Sequence, residues 1–458
     1  MKGEPDFLQN LRDEMGGGRQ WLDRAIVMVY AVLAGLAVVV FTLLADGAFA
    51  LYSQLRGGWW WAPLLWTPAV TALVVWAIRR WAPGAAGSGV PQVLTALDPA
   101  TPLRERSRFV SLRLSVVKIL AVSGGMLAGL SIGRQGPSVQ VAAGVMLHAR
   151  RWLSPASGIS HRELLVAGGA AGIAAAFNTP LGGIVFAIEE LSRRLQDRSS
   201  GLMLAAIVIA GLVAVSAFGN LSYFGRVRAE VLSWSLLLPG ALVALATGLL
   251  GGLLSRLMLA SFTGLPDRFC AYRRKRPVTF AALCGFVVAV IAVVSDGAAV
   301  GVGHEHTKGL LDHAGAVGAE HQPLLFTGLK FVASWLSAWA GVPGGIFGPS
   351  LSLGAGVGAD VAWLLNSPHG AALIALGMCG FLAAVTQTPI TAMIIVMEMT
   401  DGHSMVLSLM ACALLASLVS RMISRPLYST MSQLMMRSIR EGAPAQDAPG
   451  RDGSAPGR

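Results

Sequence analysis

A break rich in glycine carries the residues of this chain whose types and spacing best suit chemistry. Residues 133–137 read Gly-Arg-Gln-Gly-Pro and lie between two apolar stretches. A helix broken at membrane depth is tolerated only where its backbone lines a buried site or a water-filled cavity. The helix that follows would direct unpaired N–H groups into that space, which suits an anion. The amide of Gln135 cannot titrate. The break therefore predicts an anion site whose central side chain cannot take up or release a proton.

Three further segments could line the same path. Ser88, in the sequence GSGVP, could cap the short helix that follows or donate its hydroxyl to an ion, and from the local pattern alone capping is the commoner role. The sequence GGIFGP, residues 344–349, offers backbone N–H groups at another helix start. Tyr428 follows the last long apolar run, where a lone tyrosine belongs to the interfacial aromatic belt more often than to a site.

The elements that position these residues are those of an integral membrane protein. Only 13% of the 458 residues are charged and 54% are hydrophobic, with a mean hydropathy of +0.63. A soluble domain carries about 25% charged residues. The apolar stretches are residues 25–45, 59–78, 114–132, 202–218, 233–258, 278–294, 324–340 and 405–418. Most approach or exceed the ~20 residues that cross the hydrocarbon core of a bilayer.

The basic residues cluster in short loops between the apolar stretches, and the net charge is +11. The clusters are Arg104, Arg106, Arg108 and Arg113; Arg193, Arg194 and Arg198; and Arg273, Arg274, Lys275 and Arg276. In a membrane protein such loops face the cytoplasm. We therefore expect both termini on the cytoplasmic side and no nucleic-acid partner.

The chain also repeats itself. Lys118 and the sequence GPS that begins at Gly136 recur 212 residues later, and the stretch 178–189 recurs 209 residues later. These matches define two halves, residues 110–218 and 324–422. Several apolar segments are too short to span and begin at proline: residues 91–97, 137–147, 180–191, 349–358 and 389–399. Broken helices and repeats, often inverted, are typical of secondary transporters with a site near the midplane.

In this order and spacing, the segments resemble the CLC family of chloride channels and proton/chloride antiporters. The family signatures of the types GSGIP, GREGP and GxFxP match residues 87–91, 133–137 and 345–349. The resemblance implies an all-α membrane protein, a bundle of tilted and broken helices from two inverted repeats that forms a homodimer with one pore per subunit in the lipid bilayer. The expected regions are a cytoplasmic segment with a surface helix (1–24), a transmembrane domain (25–438) and a disordered cytoplasmic tail (439–458).

The resemblance also implies a site and a substrate. A serine at position 88 favours chloride, since a proline there favours nitrate in this family. Neutral donors replace part of the hydration of an anion without trapping it, as conduction requires. The expectation is thus a channel or transporter in a bacterial inner membrane, not an enzyme, with no metal and no cofactor beyond bound chloride. The implied anion-binding residues are Ser88, Tyr428, Ile346 and Phe347, with Arg134, Gln135 and Gly136 forming the outer part of the path.

Gln135 departs from the family pattern, because most members have glutamate there. That carboxylate competes with chloride when it is ionised and carries a proton when it is neutral, so it is both gate and proton carrier. An amide can do neither, and we therefore predict passive chloride transport without proton coupling. The alternative is a proton/chloride antiporter that uses another proton-carrying group. Glu190 matches the internal proton-loading glutamate of antiporters and favours this alternative, unless it is only a helix-end carboxylate in cytoplasmic water.

Two further sets of charged or titratable residues have open roles. Lys118 and Lys330 lie within apolar stretches at equivalent positions of the repeat, where a charge is either functional or paired. They could supply a positive field for anions or donate to nearby carbonyl groups. His304 and His306, with His313 nearby, are a weak candidate for a metal site because no fourth ligand is evident, and they could instead sense pH.

Overall fold

The computed structural model describes residues 18–192, 200–219, 224, 234–263, 268–312 and 324–442. Within these ranges every regular element is a helix, and the β pairing is confined to an isolated bridge. The predicted all-α architecture is therefore confirmed. The surface helix predicted for the N-terminal segment lies outside the described residues except at its last positions, and the tail lies outside them beyond residue 442.

The described residues form α-helices that are numbered here in chain order. They are α1 (Gly18–Gly58), α2 (Ala62–Trp81), α3 (Val90–Leu97), α4 (Leu103–Arg106), α5 (Leu112–Leu127), α6 (Gln135–His148), α7 (His161–Phe177), α8 (Pro180–Phe186), α9 (Ser200–Phe218), α10 (Trp234–Thr263), α11 (Arg268–Lys275), α12 (Pro277–Val294), α13 (His304–Asp312), α14 (Leu325–Ala340), α15 (Phe347–Leu364), α16 (Gly370–Thr386), α17 (Pro389–Thr400), α18 (Val406–Ile423) and α19 (Leu427–Gly442). A π-helical turn, Ala187–Ser192, continues α8.

Six of the described segments are long and apolar enough to cross a bilayer. They are α1, α2, α12, most of α9 and α10, and the segment His403–Arg437, which contains α18 and part of α19. Many of their large apolar side chains are exposed to the surroundings, such as Leu65 and Leu238. The protein is therefore an integral membrane protein, as its composition predicts.

Two of the predicted spans are shorter in the structure. The stretches 114–132 and 324–340 form α5 and α14, each of 16 residues, which rise only ~24 Å and fall short of a ~30 Å core. Helices α6 and α15 were expected to begin at Pro137 and Pro349, and each begins two residues earlier. Pro137 and Pro349 are tolerated in the first turn because the N–H groups that they lack would be unpaired there.

The two halves are related by an inverted repeat. At its centre the N–H of Gly133 donates to the carbonyl of Gly345 (2.7 Å), and the N–H of Gly345 donates to the carbonyl of Gly133 (2.6 Å). This pair of contacts is unchanged when the halves are exchanged, which places a local two-fold axis between them. The bridge is antiparallel, so the halves run in opposite directions.

A second pair of contacts shows the same symmetry. Glu189 accepts N–H bonds from the first turn of α17 (3.2 and 2.7 Å), and Glu398 accepts them from the first turn of α8 (3.2 and 2.8 Å). A carboxylate is stabilising at the positive end of a helix. Each carboxylate therefore caps a helix that belongs to the other half.

The repeat also includes a pair of short helices that lie outside the two halves recognised in the sequence. Helix α3 follows the glycine pair 87 and 89, and α13 follows the pair 301 and 303. Lys118 donates to the carbonyls of Ala85 (2.9 Å) and Gly87 (2.6 Å), and Lys330 donates to that of Gly301 (2.7 Å). Both lysines therefore hold the loop that precedes a short helix. Of the two roles considered for them, donation to nearby carbonyl groups is the one that the contacts show. The spacing Gly-X-Gly, repeated 214 residues apart, is the signal in the sequence that could have revealed this pair.

Candidate anion site

Three glycine-containing loops meet at a point where no side chain fits. A Cβ atom on Gly136 would lie 2.5 Å from the hydroxyl oxygen of Ser88 and 3.2 Å from the Cα of Gly345. A Cβ on Gly345 would lie 2.8 Å from the backbone nitrogen of Gly136. These glycines allow the loops before α3, α6 and α15 to approach within contact distance, so that three of the predicted segments form one site.

Ser88 does not cap α3, so the capping interpretation is wrong. Gly89 occupies the cap position, and its N–H is satisfied by the side-chain oxygen of Gln92 at 2.9 Å. The Ser88 hydroxyl is buried and makes no hydrogen bond of normal geometry with the residues that the structure describes. A buried hydroxyl without a partner is costly, so this hydroxyl is a candidate donor to a bound anion.

Tyr428 does not belong to the aromatic belt either, because it is only 1% exposed. Helix α19 begins beside it and packs against α3, which turns the ring inward. The ring stacks on Phe347 with centroids 5.9 Å apart, and the phenol faces the Ser88 hydroxyl. In the described part of the chain, the phenol oxygen also lacks a hydrogen bond of normal geometry.

Two helix N-termini point at this site. Helix α6 begins at Gln135 after Arg134, and α15 begins at Phe347 after Ile346; neither start has a side-chain cap. The first N–H groups of a helix have no partner within it and carry partial positive charge. Two neutral hydroxyls and two such helix ends together present hydrogen-bond donors, with no fixed full charge among them.

The Gln135 side chain lies between the starts of α6 and α15. It is 1% exposed, and its amide oxygen and nitrogen lie 3.1 and 3.3 Å from where a Cβ on Gly348 would be. Next to it the Arg134 guanidinium forms an ion pair with Asp46, which is half-exposed. We call this end of the path, from Gln135 to Asp46, the outer end.

The inner end lies at a cavity of about 630 Å³ between the π-helical turn, the end of α16, the end of α18 and the start of α19. Glu190 lines this cavity together with Arg421 and Arg425, and the cavity extends to Ser429, beside Tyr428. Glu190 is also close enough to act electrostatically on the Tyr428 phenol. The structure thus places Glu190, the residue predicted to be the internal proton site, on a cavity that reaches the residue next to Tyr428.

The histidine cluster does not form a metal site in the described residues, which contain no group of three suitable ligands. Helical spacing turns the two rings apart: His304 contacts Phe224 (4.9 Å between centroids) and His306 contacts Phe326 (3.9 Å). His313 lies outside the described residues. His304 instead lies near Arg134 at the outer end.

We predict that Ser88→Ala and Tyr428→Phe each weaken chloride binding by about 10- to 100-fold. A hydrogen bond to a charged partner contributes roughly 1.5–3 kcal/mol, and each variant removes one donor without changing the size of the side chain appreciably. Isothermal titration calorimetry with chloride measures the effect. Tyr52→Phe is the matched control, since Tyr52 is equally buried, its hydroxyl also lacks a partner among the described residues, and it packs against Gly129 instead. Unchanged affinity in both site variants would contradict the assignment.

Broken helices from two inverted repeats, with their N-termini at a buried polar site, define a membrane transport protein for anions. Residues 70–421 match the family described as voltage gated chloride channel. The chain belongs to this family, the CLC family, whose members are channels and transporters rather than enzymes.

Relatives with known names span nearly the whole chain. The H(+)/Cl(-) exchange transporter ClcA of Klebsiella pneumoniae subsp. pneumoniae is 30% identical over 92% of this chain and 91% of its own length. The protein of the same name from Cronobacter sakazakii is 31% identical over 87% of both chains. Among solved structures, a slow cyanobacterial Cl-/H+ antiporter matches with a TM-score of 0.72 and 22% identity, covering 91% of this chain and 99% of its own. A eukaryotic CLC transporter matches with a TM-score of 0.73 and 21% identity over 91% of this chain and 75% of its own.

Proposed function

We propose that this protein transports chloride across a bacterial inner membrane through the site formed by Ser88, Tyr428 and the starts of α6 and α15. The observation that carries the proposal is the meeting of two buried hydroxyls that face each other, neither with a hydrogen bond of normal geometry among the described residues, at the positive ends of two helices. Such donors stabilise a monovalent anion and still release it. Backbone N–H groups of Ile346 and Phe347 complete the proposed inner part of the path.

We also propose a homodimer with one pore per subunit and with both termini in the cytoplasm. One chain supplies the whole set of site residues, which supports one pore per subunit. An apolar surface that includes Leu181, Ile188 and Ile390 is exposed on α8, its π-helical continuation and α17, and this surface is available to a second copy. The basic loops support the cytoplasmic position of the termini.

Two modes of transport are supported by different observations. The names of the relatives support proton/chloride exchange better than they support the uncoupled transport predicted from the sequence. Glu190, at the inner cavity and within electrostatic reach of Tyr428, also fits exchange. Exchange would need a titratable group at the outer end other than side chain 135, and Asp46 and His304 are candidates in that region.

Uncoupled transport is the second candidate, and Gln135 is the specific observation that favours it. The amide lies at the point where the helix ends of the two halves meet, yet it can neither release a proton nor carry the negative charge with which a carboxylate displaces chloride. On this account Glu190 influences conduction only through its charge.

A flux experiment on purified protein in liposomes decides between the modes. A chloride gradient is imposed with the membrane potential clamped, and chloride and pH are recorded together. Exchange predicts protons that move uphill in proportion to chloride, and Glu190→Gln should abolish that movement and leave chloride flux. Uncoupled transport predicts chloride movement without any proton movement. Absence of chloride flux in the wild-type protein would contradict the whole proposal.

A further inference from the structure

Five basic side chains from two distant parts of the chain are exposed at the ends of spanning helices. Arg79 and Arg80 lie in the last turn of α2, and residues 274–276, with the sequence Arg-Lys-Arg, join α11 to α12. We call these five residues the basic patch. Helices α2, α11 and α12 contain no Asp or Glu, so the helices that form the patch supply no negative side chain.

The two parts of the patch lie side by side because α2 and α12 pack together in opposite directions. The helices touch near their midpoints, where a Cβ on Gly285 would lie 3.0 Å from the Cα of Pro68. Arg56, shortly before α2, forms an ion pair with Asp296, shortly after α12. The start of α2 therefore lies beside the end of α12, and the end of α2 lies beside the start of α12.

Helix α11 is anchored to the protein at this end of the spans. The ring of Phe269 contacts those of Phe280 and Trp339, with centroids 4.9 and 5.2 Å apart. Cys270 is buried, and Arg273 donates from Nε to the carbonyl of Trp339 (2.9 Å). Arg273 is thus tied inward, whereas the three basic residues that follow it remain exposed.

Aromatic residues around the patch indicate its depth in the membrane. Trp76 and Trp81 flank the two arginines of α2, and both are exposed, with their rings edge to face at 5.1 Å. Tyr272, on α11, is exposed as well. Tryptophan and tyrosine are enriched at the level of the lipid headgroups. The patch therefore lies where the phosphates of a bilayer lie.

In the described part of the chain, none of the five basic residues forms an ion pair. A basic residue at the end of a helix stabilises the helix dipole, and basic loops mark the cytoplasmic side. These effects explain each charge singly, but they do not require two distant segments to bring their charges together. Like charges at close range repel one another, and a bound anion would offset that repulsion.

We propose that the basic patch binds the phosphate of an anionic phospholipid of the surrounding bilayer, such as phosphatidylglycerol. The planar guanidinium group matches a phosphate with two hydrogen bonds, and basic clusters between spanning helices bind anionic headgroups. The acyl chains have an apolar surface beside the patch, since Leu73 on α2 and Leu283 and Phe286 on α12 are exposed. The partner is thus a lipid rather than a free anion.

Native mass spectrometry of the purified protein, titrated with phosphatidylglycerol or with phosphatidylcholine, tests the proposal. We expect the wild-type protein to bind phosphatidylglycerol more tightly than phosphatidylcholine. The double variant Arg79→Gln/Arg80→Gln should weaken the first phosphatidylglycerol about 5- to 25-fold, because each basic residue near an anionic headgroup strengthens its attraction about fivefold. Arg104→Gln/Arg113→Gln is the matched control, since it removes two exposed charges from another loop, and it should change the affinity less than twofold.

Equal weakening in the two double variants would show that net charge is responsible, and would overturn the proposal. Equal wild-type affinity for the two lipids would overturn it too, as would competition by soluble glycerol phosphate at the same concentration as the lipid. Thermal unfolding gives a second measurement, because a ligand of the folded state raises the melting temperature. Phosphatidylglycerol should raise that of the wild-type protein and of the control, but not that of Arg79→Gln/Arg80→Gln. Each protein is compared with itself, so a lower intrinsic stability of the variant does not affect the result.

Discussion

Gln135→Glu should slow chloride flux roughly 10- to 30-fold at pH 7.5, and acidification should restore it. Glutamate has nearly the same shape as glutamine, so it fits the buried space between the starts of α6 and α15. Once ionised, the carboxylate interacts with two helix N-termini, which contribute about 2 kcal/mol in a favourable, partly buried geometry. A chloride ion must displace it, and ~1.4 kcal/mol corresponds to a tenfold change.

The pH dependence of the Gln135→Glu variant has a definite sign. Above the pKa of the introduced carboxyl group the site is blocked by its charge, and below it the neutral acid resembles the wild-type amide. The rate is therefore expressed relative to wild type at each pH, which removes any pH dependence common to both proteins. Gln135→Ala is the control for lost packing and should show no such pH dependence. A rate ratio that is constant between roughly pH 4 and 8, the range in which a carboxyl group could titrate, would count against the account of the gate.

Lys118→Met should lower chloride affinity at least about tenfold and reduce the melting temperature by several degrees. The Lys118 ammonium is fully buried and holds the carbonyls of Ala85 and Gly87, immediately before Ser88. Methionine fills similar space but leaves two buried carbonyls unpaired, at a cost of about 1–3 kcal/mol each. The loop that carries Ser88 would then relax, and the hydroxyl would leave its position opposite Tyr428.

The ratio of chloride to nitrate affinity distinguishes two roles of Lys118: holding the Ser88 loop in position, or attracting anions through its positive charge alone. Loss of a field weakens the binding of all monovalent anions alike, whereas displacement of Ser88 changes the ratio of chloride to nitrate affinity. Lys330→Met is the matched control, since it releases the equivalent loop of the other half, which presents Val302 instead of a hydroxyl. We expect a similar loss of stability there and a smaller loss of chloride affinity. An unchanged ratio of chloride to nitrate affinity in Lys118→Met would indicate that Lys118 acts through its charge, and would contradict the role of Lys118 in positioning Ser88.

The architecture could be predicted from the sequence because its main signals are local or periodic. Apolar length indicated the spans, and the recurrence of Lys118 at position 330 and of the GPS sequence indicated the repeat. The exact starts of α6 and α15 were less predictable, because a proline in the first turn is compatible with more than one start. The direction of the second half became visible only in the bridge between Gly133 and Gly345, which joins residues far apart in the chain.

The roles of single side chains depended on tertiary contacts. Ser88 was favoured as a cap because the sequence does not show that Gly89, and not Ser88, occupies the cap position of α3. Tyr428 was favoured as a belt residue because its burial comes from the packing of α19 on α3. The partners of Lys118 and the proximity of His304 to Arg134 likewise arise from loops that meet across the fold. Such contacts leave no signal in the local sequence.

The central claim is that an anion binds where Ser88, Tyr428 and the start of α15 meet, and anomalous diffraction from crystals grown in bromide tests it most directly. We predict a bromide peak within hydrogen-bond distance of the Ser88 hydroxyl and the Tyr428 phenol, with a weaker peak in the Ser88→Ala protein. Bromide found only at the protein surface, with no peak between these two hydroxyls, would contradict the account.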